Sequence, residues 1–96
     1  MADCLAKLTE VRMLTRSVAA LVDQDSSDKN FFTAIAKLRA TEVCFEIADE
    51  CLQMFGGYGL LRDYGMERIL RELRVLRIIE GTNEIMRHTI AKSLFK

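Results

Sequence analysis

Glu80 stands alone in the run Ile78-Ile79-Glu80-Gly81-Thr82, directly after two isoleucines and before a glycine. A carboxylate set against an apolar wall has its charged form disfavoured, and that is how proteins make a general base. The same position has a second reading, as an acceptor for the free N–H groups that open the next helix. A second run, Gln53-Met54-Phe55-Gly56-Gly57-Tyr58-Gly59, carries three glycines. They do not match GxGxxG, and they follow a helical pattern where the dinucleotide fingerprint follows a strand. One reading is a helix cap with a flexible exit; the other is a backbone that a ligand, often a phosphate, approaches closely. Arg68, Arg71, Arg74 and Arg77 recur every three residues. That step drifts around a helix, and with Glu67 and Glu72 interleaved it points to a solvated, salt-bridged face.

Other chemistry is absent from the pattern. Cys4, Cys44 and Cys51 form no CxxC pair. On a helix, Cys44 and Cys51 lie roughly 10 Å apart, beyond disulfide reach. The one histidine, His88, has no cysteine near it in sequence, so no zinc ligand set forms. The cysteines read as small core hydrophobes of a reducing compartment.

Four helical segments must hold these residues. Residues from about Ala2 to Asp23 place Leu5, Leu8, Val11, Leu14, Val18 and Leu21 on one stripe. Asp23 to Asp28 is polar and reads as a surface turn, with Ser26, Ser27 or Asp28 able to cap the second helix. Lys29 to Phe55 carries two apolar stripes, one through Phe31, Ile35, Leu38, Phe45 and Leu52, the other through Ala36, Val43, Ile47 and Cys51. A helix apolar over so much of its circumference must be sandwiched between neighbours. Gly56 ends it, and Leu60 to Gly65 reads as loop. A charged helix over about Met66 to Leu76 and a last one over about Asn83 to Leu94 complete the chain, with Thr82 as N-cap of the last. The fold class is all-α, an antiparallel helical bundle with two glycine-marked breaks.

Composition agrees. The chain has 96 residues, half of them hydrophobic, which excludes a disordered polymer. Its 14 basic and 14 acidic side chains cancel, which removes the usual warrant for nucleic-acid binding. The longest uncharged apolar runs, such as Ser17 to Val22, are too short for a transmembrane segment, and Met1 to Thr9 lacks the hydrophobic stretch of a secretory signal. The expected location is intracellular.

Taken in order, Gln53 to Gly59, Arg62-Asp63-Tyr64, Glu67 to Arg74 and Ile79-Glu80-Gly81-Thr82-Asn83-Glu84-Ile85-Met86-Arg87 closely resemble the C-terminal end of the flavin-dependent acyl-CoA dehydrogenases. Phe31 to Lys37 resembles the family's preceding helix. Gly65 stands where many members have proline, and Glu72 where many have aspartate.

The resemblance implies that residues 1–96 are one C-terminal helical domain, an incomplete part of the family's four-helix bundle, without its N-terminal and β-domains. It implies α,β-dehydrogenation of an acyl-CoA thioester, with Glu80 as the base that takes the α-proton and Gly81 beside the thioester. Thr82, Asn83 and Glu84 correspond to a flavin-contacting turn at a helix N-terminus, a physically sensible place for pyrophosphate. Gln53, Gly56 and Gly57 correspond to a segment that reaches the FAD of a neighbouring subunit. FAD is the implied cofactor, a homodimer or homotetramer the implied assembly, and an electron-transferring flavoprotein the implied electron acceptor. The compartment would be the mitochondrial matrix in a eukaryote and the cytoplasm in a bacterium. Glu80 argues against the isovaleryl and long-chain branches, whose base comes from another helix. Two further readings stand beside this one: a non-catalytic helical interaction or oligomerisation module, and part of a related acyl-CoA oxidase. Because the two-striped helix has too few partners, the isolated chain is expected to self-associate or fold poorly.

Overall fold

A computed structural model describes all 96 residues. The first helix, α1, covers Ala2–Asp23 and the second, α2, Lys29–Phe55, at the bounds that apolar spacing predicts. Val11 and Val18 of the α1 stripe are buried, while Leu5 at its start remains 63% exposed. In the polar turn between the helices, Asp28 takes the cap position but makes no side-chain cap bond. The Ser26 hydroxyl instead accepts from the Asp28 N–H at 3.3 Å, so the turn is stabilised one step before the helix.

Helix α2 stops at Gly56, whose φ of 60° and ψ of −145° suit only a residue without a Cβ. The segment after it is coiled, not the open loop expected: Gly56–Leu60 and Arg62–Tyr64 are both 3-10 turns. Gly59 lets this segment press on the end of α2, since a Cβ there would sit 3.0 Å from the Leu52 carbonyl oxygen. The Tyr64 ring meets Phe55 and Tyr58 edge to face, at centroid distances of 5.9 and 5.8 Å.

Helix α3 covers Met66–Val75 and α4 covers Asn83–Lys92, followed by a 3-10 turn at Ser93–Phe95. Both end slightly before the expected limits. The first two arginines of the row are salt-bridged as the spacing suggested, whereas Arg74 forms no ion pair and Arg77, past the end of α3, stacks on Phe45. Arg71 pairs with Glu67 at 2.7 Å and Arg68 with Glu72 at 2.8 Å, each across one helical turn.

Each of the other helices packs on α2. Helix α1 runs antiparallel to it, with Lys7 bonded to Glu46 near one end and Val18 facing Ala36 towards the other. Helix α3 returns along the C-terminal half of α2, where Ile69 and Leu73 meet Cys44, Ile47 and Cys51. Helix α4 continues in the same direction along the N-terminal half, from Thr41 at its start to Phe31 and Phe32 near its end. The fold is therefore three antiparallel legs, the third broken between α3 and α4. The break, Leu76 to Thr82, lies against the middle of α2.

The molecule is open. Only 9 of 96 residues are buried, and none of its large side chains is fully enclosed. The radius of gyration is 15.5 Å, against about 12.5 Å for a compact domain of this length. No helix is long and apolar enough to cross a membrane. The three cysteines are unpaired and half-buried.

Candidate active site

The broken leg carries Glu80. The loop closes on itself where the Asn83 N–H donates to the Arg77 carbonyl at 3.1 Å, and Glu80 lies midway between these two residues. Its φ is 55° and that of Gly81 is 84°, two consecutive left-handed residues. Glycine adopts this freely; glutamate does so at a cost of about 1–3 kcal/mol, tolerated where surrounding structure over-determines the backbone. Strain of this kind concentrates at sites where a side chain must be presented in one direction. Glu80 is exposed, and no ion pair of the chain includes it.

Neither local reading of Glu80 is realised within the chain. Ile78 and Ile79 are 54% and 44% exposed, so they do not wall off the carboxylate. The start of α4 is capped by others. The Thr82 hydroxyl accepts from the Ile85 N–H at 3.3 Å, as its cap position predicts. The Glu84 carboxylate lies in the first turn, where its own backbone N–H, then the Thr82 hydroxyl and the charges of Arg87 and Arg77, hold it below the usual carboxylate range.

Anchors from α2 fix the loop. Lys37 Nζ donates to the Gly81 carbonyl at 2.7 Å and to Asn83 Oδ1 at 2.8 Å. Asn83 Nδ2 donates to Thr41 Oγ1 at 3.0 Å, and that hydroxyl donates to the Lys37 carbonyl at 2.9 Å. Arg77 Cζ stacks 5.7 Å above the Phe45 ring, and Arg87 pairs with Glu42. Asn83 is only 2% exposed and both ends of its amide are engaged. Its side chain therefore latches the turn to α2 and presents no free polar atom outward. Replacing Asn83 with alanine would leave Lys37 and Thr41 without these partners and should cost about 2–3 kcal/mol, read as a fall in urea unfolding free energy. A loss under about 0.5 kcal/mol, the level of an ordinary surface change, would show that the latch is not needed.

Gln53, Gly56 and Gly57 lie elsewhere. They sit at the C-terminal end of α2, and the Thr41 side that meets Asn83 is fourteen residues back, about 20 Å along the helix. One chain does not bring the two sets together. All three are exposed, and a Cβ built at Gly56 or Gly57 meets nothing within 4 Å. Gly56 needs its glycine for backbone conformation; Gly57 does not, and nothing in the chain explains it.

Sequence reasoning missed Lys37 and Thr41. Their signal was present: two polar side chains one turn apart, set among Ala36, Leu38, Ala40 and Val43 on a largely apolar helix. Polar groups in such a setting require partners.

The arrangement defines a class: a helical bundle domain whose broken third leg presents one carboxylate on a strained, latched turn. Residues 1–95 match the family model for the acyl-CoA dehydrogenase C-terminal domain. The chain belongs to the acyl-CoA dehydrogenase family and is its C-terminal domain. It is 46% identical over all its 96 residues to the mitochondrial isobutyryl-CoA dehydrogenase of Dictyostelium discoideum, 23% of whose length it covers. Among solved structures, 99% of the chain superposes on 24% of the butyryl-CoA dehydrogenase of Megasphaera elsdenii, with a TM-score of 0.93 at 29% identity. A structure described as the FAD complex of PigA matches 94% of the chain over 23% of its own, with a TM-score of 0.87 at 28% identity. The chain thus spans about a quarter of the length of these proteins.

Proposed function

We propose that this domain supplies the proton-abstracting half of an acyl-CoA dehydrogenase, with Glu80 as the base. The observation that carries the reading is the left-handed backbone at Glu80 and Gly81, a strained presentation of a free carboxylate on a turn whose glycine admits no side chain, since a Cβ there would lie 2.8 Å from Met86 Cε. An α-proton next to a thioester is weakly acidic, so its removal needs a positioned base from which water is excluded. The Glu80 carboxylate takes the α-proton and becomes the neutral acid. The electron pair of that C–H bond becomes the Cα=Cβ bond as the β-carbon loses a hydride equivalent. FAD, when bound, accepts that hydride. Water exclusion around Glu80 comes from the substrate, the cofactor and the N-terminal and β-domains, since Ile78 and Ile79 are too exposed to provide it.

The residues present fit FAD in a particular way. The open faces at Gly56 and Gly57 admit close approach of a flat or phosphorylated group, and the exposed Gln53 amide adds hydrogen bonds. At the other set, the Thr82 hydroxyl caps α4 and bonds the Glu84 carboxylate, while Asn83 acts by anchoring the turn. The Glu84 carboxylate already occupies the positive end of α4, so this turn suits a neutral, hydrogen-bonding part of the cofactor and not its diphosphate. The separation of about 20 Å between the sets is consistent with contact to two different flavins in a homodimer or homotetramer. An electron-transferring flavoprotein would be the partner that takes up the electrons from FAD held by these residues.

In the enzyme that carries this domain, anaerobic mixing with short branched and straight acyl-CoA thioesters should bleach the flavin absorbance within seconds. Slow reoxidation on admitting oxygen marks a dehydrogenase, and rapid reoxidation with peroxide formation marks an oxidase. No bleaching with any acyl-CoA would favour the interaction-module reading.

A further inference from the structure

Two consecutive left-handed residues do not hold themselves. Within the loop, the Ile78 and Ile79 N–H groups donate to the Val75 carbonyl and the Asn83 N–H to the Arg77 carbonyl, but no backbone bond engages the Glu80 or Gly81 N–H or the Gly81 carbonyl. The Gly81 carbonyl sets the orientation of the peptide that follows the strained pair. It accepts from the Lys37 ammonium, a residue on α2 that is 44 positions earlier in the chain. The second bond from the same ammonium goes to Asn83 Oδ1, just past the loop. Lys37 is half-buried against apolar neighbours, so its charge is only partly solvated and the two acceptors replace water. Charge-assisted bonds of this kind are about twice as strong as neutral ones.

We propose that Lys37 is a positioning residue: its ammonium, clamped between the Gly81 carbonyl and Asn83, holds the Glu80–Gly81 turn in its left-handed form and so aims the carboxylate. Thr41 completes the clamp by bonding both Asn83 and the Lys37 carbonyl. The catalytic consequence rests on the reading of Glu80 as base; the structural one does not. Without the ammonium, the Gly81 peptide is free to flip, the left-handed strain at Glu80 relaxes, and the carboxylate moves away from its presented position.

The test uses Lys37→Met, which keeps the aliphatic stem and removes all three donors, with Lys37→Arg as the conservative variant. In the complete flavin-loaded enzyme, Lys37→Met should lower the rate of flavin reduction roughly 100-fold, the scale of a 1 Å misplacement, while acyl-CoA affinity and flavin content hold. Lys37→Arg should recover part of the rate. Independently of activity, hydrogen exchange should speed up at the Asn83 and Ile85 amides in Lys37→Met while the amides of α1 stay protected. If Lys37→Met misfolds, Lys37→Gln, which retains two neutral N–H donors, should show the same pattern at smaller size. Unchanged exchange at Asn83 and Ile85 overturns the clamp. A wild-type reduction rate in Lys37→Met, alongside an inactive Glu80→Gln, overturns the aiming role and leaves the base standing. A fully active Glu80→Gln sinks the base instead, and loop exchange alone then decides the clamp.

Discussion

Glu80→Gln should abolish nearly all flavin reduction by substrate in the complete enzyme, a fall of about 10³–10⁴-fold, the scale on which a positioned general base contributes. Glutamine keeps the length and shape of the side chain and its left-handed backbone, so the turn held by Lys37 and Asn83 should survive. It has no site for the α-proton. Because the carboxylate is exposed and unpaired in the chain, its loss breaks no ion pair and should leave stability within about 0.5 kcal/mol. FAD content and acyl-CoA affinity should likewise stay near normal. Glu80→Asp should retain part of the rate, since the carboxylate survives one methylene short. Stopped-flow absorbance under anaerobic conditions reads all three.

The second large effect concerns the 96-residue chain alone, which should be colourless and self-associating. Its accessible surface is 7050 Å², against about 5,600 Å² for a compact monomer of its mass. The excess, roughly 1,400 Å², is the size of a standard protein–protein interface. Much of it is apolar: Leu5, Met13, Tyr58, Leu60 and Phe95 are each at least 63% exposed. Surface of that kind drives association. The two sets proposed to face FAD lie about 20 Å apart, so neither encloses a ligand, and a few hydrogen bonds offset little of the entropy lost when a large flexible cofactor is fixed. Sedimentation at micromolar concentration should show dimers or larger species, and titration should show no saturable FAD binding. A monodisperse, cooperatively melting monomer, or a yellow preparation with stoichiometric flavin, would contradict this.

The helices α1 and α2 were legible because twenty or more residues of apolar periodicity, bounded by polar turn residues or glycine, leave few alternatives. The cap at Thr82 was legible for the same local reason. Short coils were not. The 3-10 turns from Gly56 to Tyr64 depend on Gly59 pressing on Leu52 and on rings stacking across the segment, and neither leaves a period in the sequence. The conformation of Glu80 was also hidden, because Lys37 and Thr41 impose it from more than forty residues away. The same contacts explain why Asn83, expected to face a cofactor, is buried as a latch. Motif order singles out candidate residues, but which of them face outward and which hold the turn is a tertiary property.

The central claim is that Glu80 takes the α-proton, and it is tested most directly where no hydride can leave. An acyl-CoA with a quaternary β-carbon has α-hydrogens but no β-hydrogen, so it cannot be dehydrogenated. In deuterated water the complete enzyme should still exchange its α-hydrogens, seen as loss of the α-proton NMR signal. Glu80→Gln should slow that exchange by about 100-fold or more, towards the uncatalysed rate. Equal exchange by the wild-type and Glu80→Gln enzymes would contradict the account and place the base on another residue.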